Sequence, residues 1–473
     1  MEFRFVNDDP LGSGNRKTVR SHVMKGKNSG KTHVSRGHKR NKEAAARNVH
    51  VLPPRDMIAT LRQMAPRCRP IPDYYSTNAS SFKMPGRDLI DFYAVGEALY
   101  PPEFCQSQNP MKTVWFEYLL TDKAFFHVSL SMTATCLDFF EYKEHESPEA
   151  IAHMTQAFAL VNQRLSGPDA ISNPTIALVC MLICQESVRG DLEKYKTHLL
   201  GLVRMVELRG GIHVLEENDD VLQKICRLNE GSGVQAKSAV SRSDIQYALH
   251  TESPALYAYD AMPQRVMQEI CHNGIQSQRP MAAIFSTAEP TLRQLIRDVD
   301  SISVLFNNCK RNSKLKAHEF SATILSLGYR LLRVQGQESR SLEAIQEACL
   351  LGFVCFYTTL LLQFGRQRHL LYEKLSRRLK TSVDGLLPIC HHPHFQPTSI
   401  WLLMIGAISV FERKEDIWLL PALVRVSELM HLKTWDAMRN ELKEYPWIRA
   451  IHNEQGKRVW DKVQRYQLSK RIG

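Results

Sequence analysis

The sequence of 473 residues lacks the short motifs by which most catalytic and metal-binding sites are recognised. It contains no HExxH zinc motif, no GxSxG nucleophile turn and no glycine pattern that binds dinucleotides. No CxxC pair occurs and no cysteine precedes Cys68, so paired-cysteine zinc ligands are lacking as well. The sequence therefore predicts a protein that is not an enzyme and that holds neither a metal nor a cofactor.

Signals for secretion and for a membrane are also scarce. Residues 1–8 have no apolar signal-peptide segment. The eleven cysteines, an odd number, lie scattered through apolar stretches, as reduced intracellular thiols do. One uncharged and largely apolar run, residues 348–365, is 18 residues long, close to the minimum for a bilayer. Because Glu347 and Arg366 flank this run and polar residues interrupt it, it predicts a buried central helix rather than a membrane span.

One nucleotide-binding motif is present only in part. The GKT at residues 30–32 matches the end of a phosphate-binding loop. Three residues separate Gly26 from Gly30, whereas that loop needs four. The flanking residues are too basic to form the buried strand and the amphipathic helix that the loop requires. We therefore expect no nucleotide site here.

Positive charge is concentrated near the start of the chain. Residues 16–47 carry eleven Lys or Arg and one acid, a net charge of +10, whereas the rest of the chain carries +2. Gly, Ser, Asn and His fill the gaps between the cations, so this stretch has no face that could join a core. We predict a disordered basic tail over residues 1–50 that contacts nucleic-acid phosphates or an import receptor. The residues expected to make these contacts are Lys25, Lys27, Lys31, Arg36, Lys39, Arg40 and Lys42.

Beyond the tail, the sequence pattern is helical. Residues 51–87 are rich in proline and predict an extended linker. Residues 88–473 place apolar residues at steps of three and four and show no series of alternating strands. Starts such as Ser147-Pro148 combine an N-cap residue with proline at the first helical position. The predicted fold class is therefore all-α, a large multi-helix domain that follows the disordered basic tail.

Two groups of side chains have the composition of metal ligands, but each also has a plainer explanation. Cys180 and Cys184 lie one helical turn apart within an apolar run, where cysteine packs as a small hydrophobic residue. Residues 390–394, CHHPH, crowd four donors into five positions, closer than the usual spacing of zinc pairs. We expect a core helix in the first case and a loop with incidental histidines in the second.

A longer stretch carries a family resemblance. The residues from His198 to Ile212 resemble the HxxGLxRMVxLRGG segment of the fungal-specific transcription factor domain family. Other pieces agree with that family in the same order, and the resemblance covers roughly residues 88–465. These pieces are Asn162–Leu165, Asp244–Leu249 and Tyr445–Ile448, with His452, Gly456 and Trp460 behind the last.

The resemblance implies an all-α regulatory body in a nuclear transcription regulator. Its partners would be other transcription regulators, co-regulators or a small effector bound between helices, and it would have no contact with a membrane. Full members of the family also carry a six-cysteine zinc cluster that places a helix in the DNA major groove. This sequence lacks the closely spaced cysteines of that cluster, so we expect no zinc-cluster reading of DNA. The alternative function is that of a cytosolic helical interaction scaffold with no role on chromatin.

Two features of the resembling region remain to be interpreted. Similar proteins pass almost directly from the equivalent of Arg227 to that of Asp244. The intervening residues 228–241 are small, polar and aperiodic, which predicts a flexible insert or an error in the gene model. Arg204 and Arg209 lie within the resembling helix, where we expect them on its open side, with their stems covering apolar surface rather than contacting a partner.

Overall fold

The computed structural model describes most of the chain beyond the predicted tail and linker. The described residues are 101, 103–106, 122–140, 145–212, 232–272, 279–309, 314–337, 342–361, 372–389 and 395–472. Within them the structure is helical, and the only extended pairing is an isolated bridge between Cys105 and Leu315. The all-α prediction is confirmed, whereas the tail over 1–50 and the linker over 51–87 lie outside the described residues.

Fifteen α-helices and two short 3-10 turns make up the described ranges, and we number the α-helices in chain order. They are α1 Lys123–Phe140, α2 Pro148–Leu165, α3 Asn173–Arg189, α4 Leu192–Leu208, α5 Ser232–Thr251, α6 Gln264–His272, α7 Pro280–Ile284, α8 Pro290–Asn308, α9 Ala317–Gln337, α10 Ala344–Thr358, α11 Glu373–Leu386, α12 Gln396–Ser409, α13 Asp416–Leu429, α14 Trp435–Leu442 and α15 Arg449–Ile472.

Local capping sets where the first helices begin. Ser147 precedes α2 and its side chain accepts a hydrogen bond from the Ala150 backbone N–H at 3.4 Å. Ser172 caps α3 and Asp191 caps α4 in the same way, and each satisfies an amide that the helix itself leaves open. Gly190 ends α3 with a positive φ of 74°, a conformation that costs glycine nothing. The start of α2 at Ser147-Pro148 confirms the sequence prediction.

Helix α5 runs through the middle of the molecule and joins its two halves. It packs against α3 and α4 on one side and against α9 and α11 on the other. The first half also contains the paired helices α1 and α2, which pack on α3. The second half is built on α10 and α12, which pack on each other, on α11 and α13, and on the last helix, α15.

The described part of the apolar run that was predicted as a central helix, residues 348–361, is buried apart from half-buried Thr359. Helix α10 is buried at Gln346 and from Ala348 to Thr358, and its Phe353 ring packs 5.6 Å from Trp401 of α12. The two helices approach closely at Gly352, where an added Cβ would lie 2.6 Å from Leu402 Cδ2 and from the Trp401 ring. Among the helices that the structure describes, none is long and apolar enough to cross a membrane.

The connection between α14 and α15 locks the second half together. Trp401 Nε1 of α12 donates a hydrogen bond to the Pro446 carbonyl at 3.1 Å, and the Trp401 ring stacks on Tyr445 at 5.5 Å. Asn307 Nδ2 of α8 donates to the Trp447 carbonyl at 2.6 Å. The part of this connection that belongs to the family resemblance, Tyr445–Ile448, is buried and holds helices in place.

The prediction of a flexible insert over 228–241 is wrong for its second part. Residues 232–241 form the first half of α5, and Ser238, Val240 and Ser241 are buried there. Ser238 Oγ hydrogen-bonds Ser321 Oγ of α9. Small side chains allow α5 to approach its neighbours, so tertiary burial overrides the weak helix propensity of this stretch. Residues 228–231 lie outside the described part of the chain.

A histidine pair lies between α1 and α2. The Nδ1 atoms of His127 and His153 are 2.9 Å apart and the ring centroids are 5.2 Å apart. The two rings therefore meet through these nitrogens. One Nδ1–H must donate to the other Nδ1, and two protonated rings would repel. Burial, with His153 and Lys123 nearby, lowers the pKa of His127 to about 4. Burial also lowers the pKa of His153, against the opposing effect of Glu149.

We predict opposite effects for one substitution at two helical glycines. Gly352→Ala should destabilise the protein by about 1–3 kcal/mol, because the new Cβ meets buried side chains that cannot withdraw. Gly385→Ala, in α11 where nothing lies within 4 Å, should stabilise it by up to about 1 kcal/mol through helix propensity. Urea unfolding followed by circular dichroism measures both; a neutral or stabilising Gly352→Ala contradicts the packing described.

We also predict that stability falls as the pH is lowered from 6.5 towards 4. In that range the unfolded histidines bind protons that folded His127 resists, so protonation favours the unfolded state. His127→Gln should weaken this pH dependence by on the order of 1–2 kcal/mol over the range. The thermal midpoint measured from pH 7 to pH 4.5 tests it, with His145→Gln at an exposed position as the control. Equal pH profiles for wild type and His127→Gln would refute the prediction.

Candidate functional site

Helix α4 carries the family-like stretch and buries one side of it. Tyr195, Leu199 and Leu202 are buried, as are Met205 and Val206 one turn further on. This stripe has the spacing of an amphipathic helix and packs on α3 and α5. The side chains that resemble the family most are therefore mainly structural.

His198 of the same helix is buried as well. Its ring stacks against Phe158 of α2, with the centroids 6.1 Å apart. Burial lowers the pKa of His198 to about 4, so the ring is neutral near pH 7. This histidine joins α4 to α2 as an aromatic packing residue.

The two arginines of α4 have different surroundings. Arg204 is exposed and pairs with Glu207 one turn away at 3.0 Å, as expected for the open side. Arg209 is half-buried, and its Nη1 donates to the Ile171 carbonyl at 3.3 Å and also contacts Asn173 Oδ1. The expectation of an open-side position is therefore wrong for Arg209, because its side chain reaches back to the start of α3.

A crevice lies where the end of α3, the start of α4 and the second half of α5 meet. It is partly open to solvent, and its internal space of about 10 Å³ accommodates one water-sized group. The surface exposed in it is almost entirely apolar, although several of the lining residues also carry polar groups. The lining residues are Glu186, Ser187, Gly190, Leu192, Tyr195, Gln246, Tyr247 and His250.

Three polar atoms in the wall of this crevice have no hydrogen-bond partner among the residues that the structure describes. They are Glu186 Oε2, Ser187 Oγ and His250 Nδ1. Glu186 is 0% exposed and Ser187 is 5% exposed, so bulk water does not satisfy them. Buried polar groups normally find a partner, so these three atoms lack the hydrogen bonds that are usual for their burial.

Electrostatics in the crevice are set by α3 and α4. Arg189 Nη1 donates to Glu186 Oε1 at 2.9 Å, while Arg189 Nε contacts Glu146. Asp191 and Lys194 form a separate pair at 3.1 Å. Burial raises the pKa of Glu186 despite Arg189, and burial lowers the pKa of His250. One guanidinium thus serves two carboxylates, and the second oxygen of Glu186 is buried without a hydrogen-bond partner among the described residues.

The tyrosine walls of the crevice are rigid. The rings of Tyr195 and Tyr247 stack with centroids 5.8 Å apart and an interplanar angle of 18°. The Tyr195 hydroxyl is already used, because it donates to the Ser243 carbonyl at 2.7 Å. These two side chains therefore offer ring surface to the crevice and join α4 to α5.

The structure describes only some of the sites that were predicted from the sequence. The seven tail cations and residues 390–394 lie outside the described residues, so their roles stay predictions. Cys180 is buried in the core, as predicted, and Cys184 is half-buried. In the described ranges no three His, Cys, Asp or Glu side chains are grouped so that they could hold a metal ion.

The crevice itself was not predicted. Its acceptors come from Glu186 and Ser187 on one helix and His250 on another, far away in the sequence. One signal was present: Gln185-Glu186-Ser187 ends an otherwise apolar run in α3. Since a helix that is apolar all round is buried, polar residues at its end must also be buried.

Comparison with known families matches residues 98–240 to the fungal specific transcription factor domain. The matched range contains α1 to α4 and the start of α5. The resemblance carried by His198–Ile212 is thereby confirmed, and the match indicates a transcription regulator. No curated protein and no solved structure matches the chain.

We predict that the two arginines of α4 respond differently to truncation. Arg209→Ala should destabilise the protein by about 1–3 kcal/mol, because it leaves the Ile171 carbonyl and Asn173 without their donor. Arg204→Ala removes an exposed ion pair and should change stability by less than about 0.5 kcal/mol. Urea midpoints of the two variants measure the difference; equal midpoints would show that Arg209 does not tie α4 to α3.

Proposed function

We propose that this chain is a nuclear transcription regulator that acts through protein contacts of its helical body and lacks a zinc cluster of its own. The family match over residues 98–240 carries the proposal. The matched helices form a packed framework in which family-like residues such as His198 are buried. Such a framework supports recognition rather than catalysis, so we propose no enzymatic activity.

The basic tail gives the proposal its second part. Seven cations, from Lys25 to Lys42, would bind an import receptor and contact DNA phosphates without regard to base sequence. The rest of the chain is nearly neutral, with a net charge of +2. This difference supports phosphate and receptor contacts by the tail and protein contacts by the body. Sequence-specific binding would then come from a partner regulator or co-regulator.

The rival function is a cytosolic interaction scaffold. It would need the helical body and its protein contacts but neither the tail nor the nucleus. The charge concentrated in residues 16–47 favours the nuclear function, since a scaffold has no use for a net charge of +10 in one short segment.

We predict discrete chromatin occupancy for the tagged full-length chain in its own organism. Replacing all seven tail cations by Gln should reduce nuclear accumulation and occupancy. The matched control replaces Lys433, an exposed cation of the body, and should leave both unchanged. Diffuse signal for the wild-type chain, or an unaltered distribution after neutralisation of the tail, would favour the scaffold.

The phosphate contact has its own test in purified protein. If the tail contacts DNA phosphates, log K should fall with log salt with a slope of up to about −6 for seven contacts, and the Gln variant should lose that slope. Scrambling the base sequence of the duplex should change nothing. Equal affinity at low and high salt would remove this part of the proposal.

A further inference from the structure

Helix α4 also carries an apolar stripe on its solvent-facing side. Leu200, in the middle of the helix, is 54% exposed, and Val203 on the next turn is half-buried. Lys196 lies one turn before Leu200 and Glu207 lies one turn after Val203, and both are exposed. We call these four residues the α4 seam. The seam has an apolar centre, a cation at one end and a carboxylate at the other.

The spacing of the α4 seam is typical of a helix that pairs with another helix. Its four residues follow one another at steps of four, three and four, which places them along one line of the helix surface. The same steps separate the contact positions of a two-helix coiled coil, where side chains of one helix fit between those of its partner. A single exposed leucine is common on a protein surface, but an apolar pair at this spacing between opposite charges fits a second helix.

We propose that the α4 seam joins two copies of this chain through an antiparallel pairing of their α4 helices. A two-fold axis between Leu200 and Val203 would place Leu200 of each copy against Val203 of the other. The same axis would place Lys196 of each copy against Glu207 of the other. The seam is therefore its own complement, as an interface with two-fold symmetry requires.

The neighbouring charges of α4 are compatible with this pairing. Arg204 pairs with Glu207 of its own chain at 3.0 Å, and the carboxylate has enough acceptor sites to take Lys196 of the second copy as well. Glu193, one turn before Lys196, would face Gly210 of the second copy and so meets no like charge. A parallel pairing would instead set Lys196 against Lys196 and Glu207 against Glu207. Charge therefore selects the antiparallel orientation.

The length of the seam sets the strength of the association. Four side chains on one helix bury less surface than a standard protein interface of about 1,600 Å². We therefore expect a dimer that forms at micromolar concentrations and dissociates on dilution. The free monomer stays folded, because the buried side of α4 packs on α3 and α5 of the same chain.

This inference deepens the protein contacts of the helical body, and in that sense it rests on the proposed function. A pair of chains would carry two basic tails, so one particle would make more contacts with DNA phosphates. The association itself is measured in purified protein without DNA. Self-association can therefore fail while nuclear action holds, and nuclear action can fail while self-association holds.

The test measures self-association of the purified full-length protein by sedimentation velocity over a range of concentrations. The wild-type chain should shift from monomer towards dimer as the concentration rises. Lys196→Glu and Glu207→Lys, each alone, should weaken dimer formation about tenfold or more, because each sets two pairs of like charges at the seam. Lys433→Glu and Glu444→Lys, at exposed positions outside α4, carry the same changes in charge and should associate as wild type.

A mixture of the two seam variants tests the orientation of the pair. A chain with Lys196→Glu carries glutamate at both ends of the seam, and a chain with Glu207→Lys carries lysine at both ends. The equal mixture should form heterodimers about as readily as the wild type forms homodimers, since every charge pair is again complementary. The double variant K196E/E207K should also regain dimer formation.

Leu200→Asp supplies a second measurement, at the centre of the seam. Because Leu200 is exposed in the monomer, this change should leave the thermal midpoint nearly unaltered while it abolishes the dimer. A wild-type chain that stays monomeric at every concentration would overturn the proposal and leave the seam to a different protein. Equal association of wild type and the single seam variants would also overturn it, and failure of the mixture to associate would refute the antiparallel pairing.

Discussion

A buried carboxylate in the middle of α5 fixes the position of the central helix. Asp244 is 1% exposed, and it accepts hydrogen bonds from the backbone N–H groups of Leu256 and Tyr257 and from the Tyr329 hydroxyl at 3.0 Å. Burial raises the pKa of this carboxyl, and these hydrogen bonds oppose the rise. A buried charge without such partners would cost several kcal/mol, so only this placement of α5, its following loop and α9 satisfies it.

The crevice depends on that placement. Tyr195 of α4 donates to the Ser243 carbonyl, next to Asp244, so α4 is held against α5 at the same level. Tyr247 and His250 follow on the next two turns and face α3 and α4. The side chains that line the crevice are thus positioned by backbone and hydroxyl contacts outside it. The shape of the crevice therefore depends on contacts that lie outside it.

The second half of the molecule rests on a comparable arrangement around His452. Its Nδ1 accepts from the Ile448 backbone N–H at 2.9 Å, and its Nε2 hydrogen-bonds Thr359 Oγ1 at 2.8 Å. Complete burial lowers the pKa of His452 to about 3, so the ring stays neutral and can accept at Nδ1. Both nitrogens of a fully buried ring are satisfied, which joins α15 to the end of α10.

Local signals predicted much of the fold, and long-range contacts account for what was missed. The starts of α2, α3 and α4 depend on Ser147, Ser172 and Asp191, each of which acts on amides two or three residues away. A capping pattern that spans two or three residues can be recognised in the sequence alone. The first half of α5 was missed because its helicity comes from burial against other helices rather than from its own propensity. Arg209 was misplaced for a related reason, since its acceptors are the Ile171 carbonyl, before α3, and Asn173 Oδ1, at the first residue of α3.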